Sequence, residues 1–113
     1  LTLPPIDVKR LSRKRREGPL ERDIERKVCQ YAERKGLPNE KFTSPAKRSV
    51  PDRIFYLGMS RHFFIEFKQL GKRPTVKQAK DHERRIARGD WVFVADSVEY
   101  GKLLIDVMEA IHK

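Results

Sequence analysis

The sequence predicts an α/β fold, a small mixed sheet flanked by helices with a further helix at the C-terminus. Three observations predict it. Apolar residues recur at helical spacing in three separate segments. Two short apolar runs flank Gly58-Met59-Ser60-Arg61 as the arms of a hairpin would, and another, Trp91 to Ala95, follows the second helical segment. At 113 residues and 38% apolar content the chain has room for one core and one domain.

Residues 1–19 carry Pro4, Pro5, Gly18 and Pro19 around Lys9, Arg10, Arg13, Lys14, Arg15 and Arg16, and read as a basic N-terminal arm ahead of a domain spanning 20–113. From Leu20, the series Ile24, Val28, Tyr31, Ala32 has helical period, and Gly36 with Pro38 just beyond marks its end. Lys41-Phe42-Thr43 is a short strand candidate before the loop Ser44 to Val50. Arg53 to Leu57 and His62 to Lys68 then form the hairpin.

Gly71-Lys72-Arg73-Pro74 breaks the chain, and Thr75 opens a helix with Val76, Ala79, His82 or Glu83, and Ile86 on its buried side, ending at Gly89. A strand, a helix and a strand in that order favour a right-handed crossover, so Trp91 to Ala95 is expected parallel to His62 to Lys68. After Asp96-Ser97 the last helix places Val98, Leu103 or Leu104, Val107, Met108 and Ile111 inward. Trp91 and Phe93 read as core, and His62, His82 and His112, with no partner at metal-ligand spacing, read as solvated.

The formal net charge of +10, with pI near 10.0, attracts polyanions, and nucleic acid is the expected partner. Cys29 is the single cysteine, which excludes an internal disulfide and a cysteine-rich metal cluster and reads as a core thiol. No run approaches the roughly 18 apolar residues of a membrane span. The segment Leu1 to Lys9, with two prolines and an acid, lacks the apolar stretch of a signal peptide. A cytoplasmic location without membrane association is expected.

The chemistry concentrates in Pro51-Asp52 and, fourteen positions on, in Glu66-Phe67-Lys68 at the end of the run Phe63-Phe64-Ile65. Strand side chains alternate, so Glu66 and Lys68 leave the same face about 6.6 Å apart. On a hairpin, Asp52 at the head of one strand and Glu66 near the tail of the next come side by side. Hydrolysis of a phosphodiester with a metal ion needs hard oxygen ligands and a positive group near the attacked phosphate. Asp52 and Glu66 supply the oxygens for Mg²⁺ or Mn²⁺, the Phe67 carbonyl completes the shell, and Lys68 positions or deprotonates the water. A surface ion pair is the plain alternative for Glu66 and Lys68, but a solvated face rarely alternates Phe with Glu.

In these residues the chain resembles the PD-(D/E)xK nuclease superfamily, with Asp52, Glu66 and Lys68 at its three hallmark positions. Glu21-Arg22-Asp23-Ile24, Thr43-Ser44, Pro51-Asp52-Arg53-Ile54, Phe63 to Lys68 and Gln78 are similar to the VRR-NUC family. The resemblance covers roughly Leu20 to Ser97. It implies a restriction-endonuclease-like αβββαβ core and a homodimeric, structure-selective DNA endonuclease that resolves four-way junctions. It also implies catalytic roles for Glu21 and Gln78. By its own pattern Glu21 is equally an acid favoured at a helix N-terminus, with Glu25 one turn on as the alternate. Gln78, three residues after Thr75, is equally half of a capping box.

Lys47, Arg48 and Arg53 flank the acidic pair, and Lys72, Arg73 and Lys77 follow the catalytic strand, so these six are the expected phosphate contacts. A non-catalytic basic nucleic-acid-binding module, and a flap or nicking nuclease acting as a monomer, are the competing readings.

Overall fold

The computed structural model describes residues 18–44 and 50–112. Most of the basic arm, and Lys47 and Arg48 of the loop, lie outside the described residues. The elements are α1 (Glu21–Arg34), β1 (Asn39–Lys41), β2 (Arg53–Gly58), β3 (Arg61–Phe67), α2 (Val76–Ala87), β4 (Val92–Ala95) and α3 (Val98–Ile111). They give the αβββαβ order with a C-terminal helix. The sheet runs β1-β2-β3-β4, antiparallel across the first two pairs and parallel between β3 and β4, as the crossover argument requires.

The hairpin turn closes on Met59 and Ser60, both at positive φ (53° and 64°), the backbone that matches strand twist in a two-residue connection. Gly58, at φ 86°, absorbs the register shift between Tyr56 and Gly58. The first strand lies two residues earlier than its sequence reads. Backbone bonds from Tyr56 N–H to the Pro38 carbonyl and from Phe42 N–H to the Asp52 carbonyl, each 2.9 Å, fix its pairing with β2.

Alternation along β3 splits the sheet into two unlike faces. Phe63, Ile65 and Phe67, with Phe55 of β2, enter the core formed with Ile24, Val28, Cys29 and Ala32 of α1 and Leu104, Ile105 and Met108 of α3. Phe55 and Phe63 stack with ring centres 5.1 Å apart. Cys29 is buried there, and desolvation holds its thiol up at about 11, so it is the core thiol the sequence predicts. Tyr31 and Lys35 of α1 both bind Asp106 of α3, tying the helices at their solvent edge.

Helix α2 covers the other face, and it does so with polar residues. Asp81 and His82 are buried while Val76 and Ile86 are 72% and 54% exposed, so the helix is turned from the face the apolar spacing predicts: Ala79 and His82 of that set stay inward, Val76 and Ile86 do not. The reason is Glu66, which points to this face. A buried carboxylate demands donors, so the donor-bearing side of α2 packs against it. His82 is therefore a buried histidine, and the expectation of a solvated one fails. Arg85, held by Asp81 at 2.8 Å, lies over the rings of Phe42 (4.9 Å) and Phe64 (5.3 Å) and closes the rest of this face.

Two further expectations fail on the last helix and strand. Trp91 is half exposed, and Val107 and Ile111 face outward with Tyr100 and Leu103, Leu104 being the buried one of its pair, because α3 has more apolar residues than one buried face accommodates. Phe93 packs against the core.

Gly101 of α3 meets α1 where a Cβ would fall well inside van der Waals contact distance of Val28 Cγ2. Glycine in a helix interior ordinarily gains up to about 1 kcal/mol on replacement by alanine. Here Gly101→Ala is expected to lose about 1 to 3 kcal/mol through overpacking. Urea unfolding checks the sign, and unchanged or increased stability contradicts this packing.

Candidate active site

The strand register builds the site. Arg53 pairs with Ile65, so one step further Asp52 stands opposite Glu66, with both side chains on the α2 face. Pro51 before it is fully buried and anchors the strand entrance. The Phe67 N–H, at the end of β3, donates to Asp52 Oδ2 at 2.7 Å, so the carboxylate extends the ladder just ahead of the start of β2. An extended residue directs N–H and C=O to the same side, so the Phe67 carbonyl leaves toward Asp52.

Glu66 is 1% exposed and its partners come from two directions. Lys68 Nζ lies 3.7 Å from Oε2, and Gln78 Nε2 donates to the same oxygen at 3.2 Å. Gln78 Oε1 meanwhile accepts the Thr75 N–H at 2.9 Å, and the Thr75 hydroxyl accepts the Gln78 N–H at 3.2 Å. One amide thus completes the capping box and holds the buried glutamate. The capping box that the spacing predicts is present, and the same side chain reaches Glu66.

Glu21, at the start of α1, joins the cluster. Oxygens of Glu21, Asp52 and Glu66 lie within 4.8 Å of one another. Glu25 is engaged elsewhere, accepting from Arg53 Nε at 2.7 Å with Lys41 Nζ at 3.8 Å. Of the two helix acids, Glu21 is the one whose carboxylate gathers with Asp52 and Glu66. The Glu25 contact makes Arg53 a brace between β2 and α1. Lys72 and Arg73, on the stretch leading into α2, and Lys77 in its first turn are exposed.

Burial, above all, together with the Glu66 and Glu25 carboxylates, pushes the Asp52 carboxyl up to about 7 despite the charge-favouring Phe67 N–H. Three carboxylates this close need a proton or a cation among them. Hard oxygen donors without thiol or imidazole suit Mg²⁺ or Mn²⁺, and Glu66 Oε1 is buried with no hydrogen-bond partner among the described residues. The residues fit the ion that the sequence implies. Glu21 and Asp52 open on a cleft of about 500 Å³ that Arg22, Lys41 and Gln69 also line.

Two features escaped the sequence reading. His82 Nε2 approaches Glu66 Oε1 at 3.7 Å, and the signal for it is its position four residues after Gln78, hence on the same helix face. Arg22 and Lys41 flank the cleft, which only the packing of α1 beside β1 reveals.

The αβββαβ sheet, with a Pro-Asp at the head of one strand and Glu-x-Lys on the next, defines a nuclease fold of the restriction-endonuclease-like class. Known proteins agree. A solved structure described as a VRR_NUC domain superposes with a TM-score of 0.70 at 26% identity, covering 76% of this chain and 94% of its own. The "Putative nuclease p44" of Acyrthosiphon pisum secondary endosymbiont phage 1 is 36% identical over 84 residues, 74% of this chain and 90% of that protein. No protein-family profile matches the chain. The chain belongs to the VRR-NUC family of nucleases.

The Asp52 shift fixes a pH dependence. The unfolded chain ionises this group near 3.8 and the folded chain near 7, so between those values the folded state holds the extra proton and its stability falls as pH rises. Asp52→Asn is therefore expected to gain on the wild type from about pH 4 to about pH 7, the difference levelling above that. Chelator-treated protein unfolded in urea at several pH values checks it. A wild type that gains on Asp52→Asn across this window contradicts the assignment.

Proposed function

We propose that this chain is an Mg²⁺- or Mn²⁺-dependent DNA endonuclease that hydrolyses phosphodiester bonds to leave 5′-phosphate and 3′-hydroxyl ends. The observation that carries the reading is the convergence of the Glu21, Asp52 and Glu66 oxygens within 4.8 Å beside Lys68. An electrostatic binder gains nothing from carboxylates gathered where a phosphate must approach.

Asp52 and Glu66 hold the ion, with Glu21 and the Phe67 carbonyl as further oxygen donors. When bound, the ion supplies acidity to water and positive charge against the attacked phosphate. Lys68 orients the attacking water and offsets charge growing on the phosphate oxygens. Gln78 fixes the Glu66 carboxylate through its amide, and the Asp52 carboxylate is fixed by the Phe67 N–H. Arg22, Lys41, Lys72, Arg73 and Lys77 are the described cations placed to hold the DNA backbone, with Lys47 and Arg48 of the loop as further candidates.

The substrate reading is branched DNA, with a four-way junction cut symmetrically by a homodimer. Symmetric incision requires two sites related by a two-fold axis. Tyr100, Leu103, Val107 and Ile111 recur along the outer side of α3, each 42 to 56% exposed, and Trp91 adds to them near His112. This helix carries Glu99, Asp106 and Glu109 against Lys102, so on a chain of net charge +10 it is a face two copies can share without repulsion.

Labelled four-way junction, flap, duplex and single strand, each with and without Mg²⁺ or Mn²⁺, test the reading. Cleavage is expected only with the ion and fastest on the junction. Asp52→Asn, Glu66→Gln and Lys68→Ala should each slow it at least about a hundredfold while DNA binding persists. Leu103→Glu should sediment as a monomer and leave nicked junctions. Undiminished cutting by the first three variants contradicts the site, and a wild-type monomer on DNA contradicts the junction reading in favour of flap or nicking activity.

A further inference from the structure

His82 and Glu66 form a pair that the proposed chemistry leaves unexplained. His82 is 7% exposed and Glu66 1%, and His82 Nε2 and Glu66 Oε1 are both buried without a hydrogen-bond partner among the described residues. They face each other at 3.7 Å. That is beyond a hydrogen bond, yet short of the roughly 4.5 Å that two such bonds through a bridging water would span. Nothing fits between them. Buried polar atoms are nearly always satisfied, so a matched donor and acceptor left just out of reach mark a bond that closes when one side moves slightly.

The second oxygen of Glu66 is already held. Gln78 donates to Oε2, and Gln78 and His82 are one helical turn apart on the same side of α2. From one helix face, therefore, two donors address the two oxygens of one carboxylate. A carboxylate oxygen has two acceptor directions, so Oε1 can take an imidazole N–H and still ligate a cation.

We propose that His82 is a positioning residue for the metal site: with Gln78 it grips Glu66 as a two-pronged clamp that fixes the plane of the carboxylate for a divalent cation. This rests on the reading of Asp52, Glu66 and Glu21 as metal ligands. The clamp does not touch the substrate. It acts by sparing Glu66 the reorientation that cation binding would otherwise require, which is how donors behind a ligand raise its affinity.

Mn²⁺ titrated into the full chain without DNA, and followed by the electron paramagnetic resonance of free Mn²⁺, reads this directly. Wild type should bind and Glu66→Gln should not. His82→Leu should bind about 10- to 100-fold more weakly. His82→Gln, whose terminal amide nitrogen stands where Nε2 does, should recover to within a fewfold of wild type, whereas the shorter His82→Asn should not. If His82→Leu does not fold, the contrast between Gln and Asn carries the same test. A folded His82→Leu with wild-type affinity, or equal affinities for Gln and Asn, overturns the clamp while leaving the metal site standing. Failure of the wild type to bind Mn²⁺ overturns both.

Discussion

A glutamate 1% exposed on the inner face of a small sheet is the constraint around which the rest of this structure is arranged. Ionised carboxylates are expensive to desolvate, and the cost is tolerable only where donors or cations surround them. The neighbours of Glu66 answer that demand. Gln78 gives it a hydrogen bond, Lys68 stands on its own strand, and the polar face of α2, not its apolar one, is pressed to the sheet. Val76 and Ile86 are left in solvent as a consequence.

The same demand spreads outward. Asp52 directly across the strand inherits the field of Glu66, and burial together with that field keeps its carboxyl near 7. Glu21 adds a third acid at the start of α1, where the helix dipole favours it. In a chain of net charge +10, this cluster gathers acids beside Arg22 and Lys41, a layout that attracts a polyanion and concentrates cations at one place along it. Function and local frustration coincide. Away from the cluster the packing is conventional: aromatic residues of β2 and β3 against two helices, with Gly101 allowing the close approach of α3 to α1.

Much of this was legible in the sequence because the rules involved are local. Strand alternation placed Glu66 and Lys68 together, hairpin pairing placed Asp52 across from Glu66, and the Thr75 to Gln78 spacing announced the cap. What was not legible depended on tertiary contacts. Periodicity assigned the inner face of α2 to Val76 and Ile86, since it counts hydrocarbon and is blind to a buried acid on the facing strand. His82, an alternative to Glu83 on that face, was read as solvated because no partner stands at metal-ligand spacing from it. The edge strand Asn39–Lys41 is polar throughout, with no alternation to reveal it, and only its pairing with β2 sets its position. Val107 and Ile111 of α3 were read as core because sequence alone does not count how many apolar residues one face absorbs.

The central claim is that Glu21, Asp52 and Glu66 gather their oxygens to hold one divalent cation. Anomalous diffraction from crystals grown with Mn²⁺ tests it most directly. The account predicts an anomalous peak in contact with oxygens of both Asp52 and Glu66, at roughly 2.0 to 2.3 Å. Well-ordered crystals in which Mn²⁺ binds elsewhere, with these carboxylates holding only protons, would contradict it.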